Sequence, residues 1–281
     1  MLSAIFENER GETFGFGTKH QNAFSADVGG GASSKLGKSQ SFSSVGEVVD
    51  SQTVNGRTIK MKGVLFGNDI STRKKQMQKI ITPLSRGRLV INDEFYASVY
   101  VIDAPSFSTE HNDGRYTMRL YSSRPFFLSV EEQEFSLASV EALFSFPVTF
   151  SDETPHVFGV TTGAGNVNAR NDGATAVPYR FVGIVQDPVN KVRVSNLTTG
   201  EFLEIVGEMT PGDRIEVFRG DDGILRATKT NEERTEDILS WISEESTFFE
   251  LGVGDNIISA GGETSVSSFF YFSPAVWGVV E

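Results

Sequence analysis

The stretch that decides the fold runs from Asn171 to Trp277. It contains Asn171-Asp172-Gly173, Tyr179-Arg180-Phe181-Val182-Gly183, Asp187-Pro188, Asn196-Leu197-Thr198-Thr199-Gly200-Glu201, Pro211-Gly212-Asp213, Phe248-Phe249-Glu250-Leu251 and Gly254-Asp255-Asn256. Each cluster either carries turn chemistry or fills the short apolar segment between turns. Val192 and Val194 stand between Lys191 and Arg193, Ile215 and Val217 between Arg214 and Glu216, and Val266 to Phe272 forms a further short apolar segment. Thr198-Thr199-Gly200 and Asp221-Asp222-Gly223 read as hairpin turns. Many short strands separated by turns predict one β-sandwich for this half. A helical turn or two is expected at Thr235–Ser243, where Ile238, Trp241 and Ile242 cluster.

Working outward, 281 residues suit two domains, each long enough to bury a core. A shift in composition near Glu131-Glu132-Gln133-Glu134 places the boundary between 1–135 and 136–281. Charge divides at the same place. Residues 1–130 hold 16 Lys and Arg against 12 Asp and Glu, or +4; the rest hold 9 against 25, or −16. So acidic a second half is poorly suited to gripping nucleic acid through phosphates. The absence of cysteine excludes disulfides and thiolate metal sites. No apolar run reaches the roughly 18 residues of a membrane-spanning helix. The start, Met1 to Glu7, lacks the basic and hydrophobic blocks of a secretory signal. With 23 Phe and 28 Gly, the composition favours a β-dominated chain.

The first half mixes strands with one helix. Ile59 and Met61 alternate with Thr58, Lys60 and Lys62; Phe95, Ala97, Val99 and Val101 alternate with Tyr96, Ser98 and Tyr100; Tyr116, Met118 and Leu120 alternate with Arg115, Thr117 and Arg119. Such a period of two predicts strands with one face on a core. Asn92-Asp93-Glu94 and Asn112-Asp113-Gly114 supply turns. Between Asp69 and Leu84 the spacing of Ile70, Met77, Ile80-Ile81 and Leu84 becomes helical. Asp69 or Ser71 is placed to cap this helix, and Thr82-Pro83 to end it. Arg73, Lys74, Lys75 and Lys79 form its basic face. From Ala23 to Val54, Gly and Ser dominate and Phe24, Leu36, Phe42 and Val45 are sparse anchors, predicting a long loop or an arm ordered by something else.

Candidate chemistry is thin. Gly31-Ala32-Ser33-Ser34-Lys35-Leu36-Gly37-Lys38-Ser39 has one residue too many between its glycines for a phosphate loop, and no helix-forming sequence follows. His20, His111 and His156 are far apart in sequence. Glu232-Glu233, Glu244-Glu245 and Asp221-Asp222 lie in polar, turn-like surroundings that do not suit a raised catalytic pKa. Asp213 with Asp221-Asp222 lacks the spacing of a calcium loop. Trp241, Trp277 and Tyr271 are the aromatic groups that could stack on sugar rings, so a carbohydrate- or receptor-binding module is the alternative reading. No catalytic, cofactor-binding or metal-binding residue is assigned.

The order Val54-Asn55-Gly56-Arg57-Thr58-Ile59-Lys60-Met61-Lys62-Gly63, the Asp69–Leu84 helix, Gly87-Arg88-Leu89, Tyr116-Thr117-Met118-Arg119-Leu120 and Pro125-Phe126-Phe127, followed by the turn clusters of the second half, resembles the distal tail proteins of siphophages. The resemblance implies a mainly β chain: an N-terminal ring-forming domain with one helix, then a C-terminal galectin-like sandwich. It further implies a homo-hexameric ring around a DNA exit channel at the virion's tail tip, made in the bacterial cytoplasm. The implied partners are the tail tube protein, a tail-associated tip protein and receptor-binding components. It implies neither cofactor nor reaction.

Overall fold

The structure, a computed structural model, describes residues 2–30, 32–40, 45–108, 114–137, 139–142, 159–162, 165–220, 222–262 and 266–279. Its contacts divide the chain into two compact units, Met1–Glu131 with Ala275–Glu281, and Glu132–Pro274. The chain is mainly β, as the alternating patterns imply, with one α-helix among the described residues.

In the first unit the alternating segments become antiparallel strands. The sheet runs Thr13–Phe16, Ala4–Asn8, Arg86–Ile91, Phe95–Phe107, Gly114–Ser122, Arg57–Leu65 and Asn22–Ala26, in that spatial order. Strand Gly114–Ser122 alternates buried and exposed along its whole length. Ile59, Met61, Val99, Val101, Met118 and Leu120 all point into one core with Phe6, Phe16 and Leu89. The two outermost strands are tied by a bridge between Gly17 and Asn22, and Phe16 packs on Phe24 with ring centroids 5.5 Å apart. The bridge closes the short connection between these two strands, and no ladder joins them among the described residues.

The helix spans Ile70–Ile80, and the Asp69 side chain caps it by accepting from the Thr72 amide at 3.4 Å. Met77, Ile80 and the following Ile81 are buried in the core, which fixes the helix against the sheet. Asn92 and Asp93 both adopt left-handed conformations, φ 54° and 60°, the two-residue turn that matches strand twist. Of the turn expected at Asn112-Asp113-Gly114, the first two residues lie outside the described set.

Arg57 holds the chain end in this unit. Its buried guanidinium donates to the carbonyls of Gly30 at 2.9 Å and Trp277 at 2.6 Å, and lies 5.1 Å from the centre of the Phe127 ring. Strand Ala275–Val276 pairs with Phe127–Ser129, and the Val279 amide donates to the Val28 carbonyl at 2.8 Å.

The second unit contains two larger sheets. One orders Gln133–Ser136, Val266–Phe272, Tyr179–Val185, Arg214–Arg219, Leu225–Thr230 and Thr235–Asp237; the other orders Asn166–Asn168, Ile257–Gly262, Val189–Asn196 and Glu201–Met209. Ser139–Ala142 pairs separately with Gly159–Thr162. Phe181, Val194, Leu203, Ile215, Ile258 and Phe270 are among its buried side chains. The turn asparagines turn inward. Asn171 accepts from the Gly173 amide and donates to the Thr175 and Leu251 carbonyls; Asn256 donates to the Gly252 and Gly254 carbonyls. Asn196 is fully buried and accepts from the Thr198 amide, so Asn196-Leu197-Thr198 serves the hairpin turn that Gly200, φ 78°, completes. At Thr235–Ser243 the structure has a short strand and then a single tight turn, Leu239–Trp241, rather than α-helix.

Candidate assembly surfaces

Ser34–Ser39 and Val48–Val54 pair into a two-stranded ribbon that belongs to neither large sheet. Composition predicts a long loop or an arm ordered by something else; the segment is extended and paired, because Lys, Val, Thr and Gln outside the Gly-rich flank can supply a ladder without a core. Leu36 and Val45, expected as anchors, are exposed; Phe42 lies outside the described residues. Nearly every residue of both strands faces solvent. A lone two-stranded hairpin is marginal in water, so this ribbon is suited to being covered.

The register sets exposed aliphatic side chains among polar ones on both faces of the ribbon. Ser34 faces Val54, Leu36 faces Gln52 and Lys38 faces Val49, the register shifting by one residue between Gly37 and Lys38. Directly opposed residues share a face and alternate residues do too. One face therefore carries Leu36, Val49 and Val54, 41%, 54% and 45% exposed, together with Ser34, Lys38 and Gln52. The other carries Lys35, Gly37, Ser39, Ser51 and Thr53 with Val48, 56% exposed. Lys38, opposite Val49, pairs with Glu47 at 2.7 Å.

The basic helix face is partly used within its own unit. Arg73 donates to the carbonyls of His20, Gln21 and Phe66, Lys79 pairs with Glu12 at 3.3 Å, and Lys74 lies over the Phe107 ring at 5.3 Å. The Asn8 side chain and Lys79 lower the Glu12 pKa by hydrogen bonding to its carboxylate. On the outer face of the sheet, Lys60 and Lys62 are exposed, while Asp103 pairs with Arg119, whose hydrogen bond holds its carboxyl below the usual range.

The residues weighed for chemistry are not brought together. His20 lies in an exposed turn, and His111 and His156 fall outside the described residues. Glu232, Glu233, Glu244 and Glu245 are all exposed. Buried Asp213 is satisfied by the Thr210 amide and hydroxyl at 2.8 and 3.1 Å, Asp222 pairs with Arg226 at 2.6 Å, and Asp221 lies outside the described residues. Among the described residues no group of acidic or histidine side chains is placed to hold a metal ion. Of the segment resembling a phosphate loop, Ser34–Ser39 forms a ribbon strand, while Gly31 and residues 41–44 lie outside the described set. The aromatic candidates are engaged locally: Tyr271 beneath Arg180 at 4.1 Å, Trp241 beneath Lys229 at 4.9 Å, and Trp277 edge-on to Phe126 at 6.2 Å within the first unit.

What these features define is a β-rich protein whose exposed elements suit contact with other chains. Residues 172–274 match the family described as the siphovirus-type tail component, C-terminal domain. Two solved structures share the fold over nearly the whole chain. The Dit protein (gp 19.1) of phage SPP1, titled a paradigm of the hub adsorption apparatus of phages infecting Gram-positive hosts, is 11% identical over 98% of this chain and 99% of its own, with a TM-score of 0.66. A chain of the phage P2 baseplate in its calcium-activated conformation is 11% identical over 99% of each chain, with a TM-score of 0.57. Among curated proteins no sequence match was found. The family match is confined to residues 172–274 and the two solved structures show a shared fold, both in keeping with the order of segments in the sequence.

Proposed function

We propose that this chain is the structural hub subunit of a siphophage tail tip. Six copies form a ring through the first unit, surrounding the DNA exit channel. The ring joins the tail tube protein above to the tail-associated tip protein below, and the second unit holds receptor-binding components. The first unit corresponds to the ring-forming domain and the second to the galectin-like sandwich. The protein catalyses no reaction and requires no cofactor.

The observation that carries this reading is the uncovered two-stranded ribbon. The ribbon presents two free edges and exposed aliphatic side chains, the features of strand addition. One heterologous contact repeated at a fixed rotation closes into a ring. The hub role named for the SPP1 protein and the baseplate setting of the phage P2 chain are in keeping with this.

The ribbon can be removed cleanly, because the Asn55 amide donates to the Ser33 carbonyl at 3.1 Å, so its two ends already meet. Replacing residues 34–54 by a short Gly-Ser link is expected to leave both units folded, by circular dichroism, and to abolish ring formation in sedimentation. Undiminished rings from the shortened chain would refute the ribbon's role. The alternative reading, a glycan-binding module without hub function, would instead require a stable monomer that binds sugar.

A further inference from the structure

Strand Thr13–Phe16 ends the sheet of the first unit, with Ala4–Asn8 paired on one side and no strand paired on the other among the described residues. Register decides which backbone groups this open edge presents. The Asn8 amide donates to the Glu12 carbonyl at 3.0 Å, so alternation places the bonded pairs of the ladder at Phe6–Phe14 and Ala4–Phe16. Thr13 and Gly15 therefore point their N–H and C=O groups away from Ala4–Asn8. Gly17 keeps the same parity, exchanging both backbone bonds with Asn22 on that side at 3.0 and 3.1 Å. Beside the edge is a cleft of about 390 Å³, lined by Thr13 and Gly15 together with Lys19, His20, Arg73 and Gln76. Arg73 holds the Lys19–Gln21 turn in place by donating to the His20 and Gln21 carbonyls, and the His20 ring fills the space that a side chain at Gly15 would need. Lys19 and His20 are exposed. No carboxylate lines the cleft among the described residues; Glu7, opposite Thr13 in register, faces Arg88 on its other side.

We infer that this edge receives an extended acidic segment of a partner protein as an added strand. The inference goes beyond the ring reading and depends on neither the ring nor the ribbon. Two observations converge on it. The open backbone groups of Thr13 and Gly15 offer main-chain bonds at alternate positions, the requirement for adding a strand. The cleft beside them gathers Lys19, His20 and Arg73 without an acidic neighbour in its lining, which favours carboxylates on the incoming chain. The carboxamides of Gln21 and Gln76, which also line the cleft, both donate and accept. That suits the mixed donors and acceptors of a peptide better than a bare anion, which only accepts. The paired strand is four residues long, so few ladder bonds are available and charge must select the partner.

The test uses the full-length chain and a capped Glu-Thr-Glu-Thr-Glu peptide, with hydrogen exchange read by mass spectrometry and affinity read by calorimetry. The peptide is expected to bind and to slow exchange in the segment bearing Thr13–Phe16. The same peptide with Lys in place of Glu, or with its central backbone amides methylated, is expected to do neither. Lys19→Glu, at an exposed position, should weaken the Glu peptide roughly tenfold. Thr13→Pro, which removes one edge donor and spares the ladder, should weaken it by a similar factor. Absence of binding, or binding that leaves exchange of Thr13–Phe16 unchanged, would overturn the added strand. So would inorganic phosphate displacing the peptide completely, the mark of a site for free anions. A peptide that separates copies of the chain from one another would put a second copy on this edge and overturn the separate partner.

Discussion

Removing the Arg57 side chain should release the chain end from the first unit, and the size of the effect can be worked from its contacts. Arg57 is 6% exposed and donates to the Gly30 and Trp277 carbonyls at 2.9 and 2.6 Å. Hydrogen bonds from a charged donor contribute about 1.5–3 kcal/mol each, so the two together contribute roughly 3–6 kcal/mol before costs. Burial opposes this. Desolvation lowers the Arg57 pKa, and its Nε and Nη1 have no hydrogen-bond partner. The cation over the Phe127 ring adds about 1 kcal/mol. Arg57→Ala should therefore destabilise the first unit by about 3 kcal/mol, the sum after the cost of burying the ion. Arg57→Met, which fills the space without donors, should cost about 2 kcal/mol because two carbonyls stay dry and unpaired. The assay is convenient because the two tryptophans report separately, Trp241 from the second unit and Trp277 from the first. In a Trp241→Phe background, urea unfolding followed by fluorescence reads the first unit alone. Exchange of the Val279 amide, which is bonded to the Val28 carbonyl at 2.8 Å, should accelerate in step. Both variants unfolding within about 0.5 kcal/mol of the parent would refute the latch.

Leu36, Val49 and Val54 changed together to Ser should leave unfolding unchanged, since all three are at least 41% exposed. Covering the exposed half of each is worth about 1 kcal/mol, so each ribbon contact should weaken by about 3 kcal/mol, or roughly 100-fold, in sedimentation. Leu84 is 97% exposed at φ 67°, so Leu84→Gly should stabilise the first unit by about 0.5–1 kcal/mol in the same urea assay, by relieving left-handed strain. The carboxyl of Asp103 is lowered from 3.8 by its hydrogen bond to Arg119, so its contribution is present above that value and lost as pH falls through the lower folded one. Asp103→Asn should flatten the loss of stability below about pH 4 in acid titration; an unchanged acid limb would show the pair adds nothing.

What the sequence disclosed follows from which elements bury one face. Strands Arg57–Leu65 and Gly114–Ser122 have a wet side and a dry side, so their alternation is visible in the residues. Helix Ile70–Ile80 shows its period and its Asp69 cap for the same reason. The ribbon gave no such signal, because neither strand buries anything within its own unit, and a ladder of Ser, Lys, Gly and Thr looks like loop. The return of Ala275–Val279 into the first unit depends on Arg57 reaching Trp277, 220 positions away in sequence, which no local pattern carries. Of the cluster Ile238, Trp241 and Ile242, only Ile238 is buried; the indole lies under Lys229 against Gly207, a long-range fit that local spacing does not carry. The ribbon proposed as an assembly surface is thus the least legible part, since its own patterns contain no buried face.

The central claim is tested most directly by electron microscopy of the purified full-length chain, with its mass in solution measured on the same sample. Six-fold rings with an open centre and a mass near six times the 30.7 kDa chain are expected. A monomer that stays single at every concentration, alone and with tail tube protein, would contradict it.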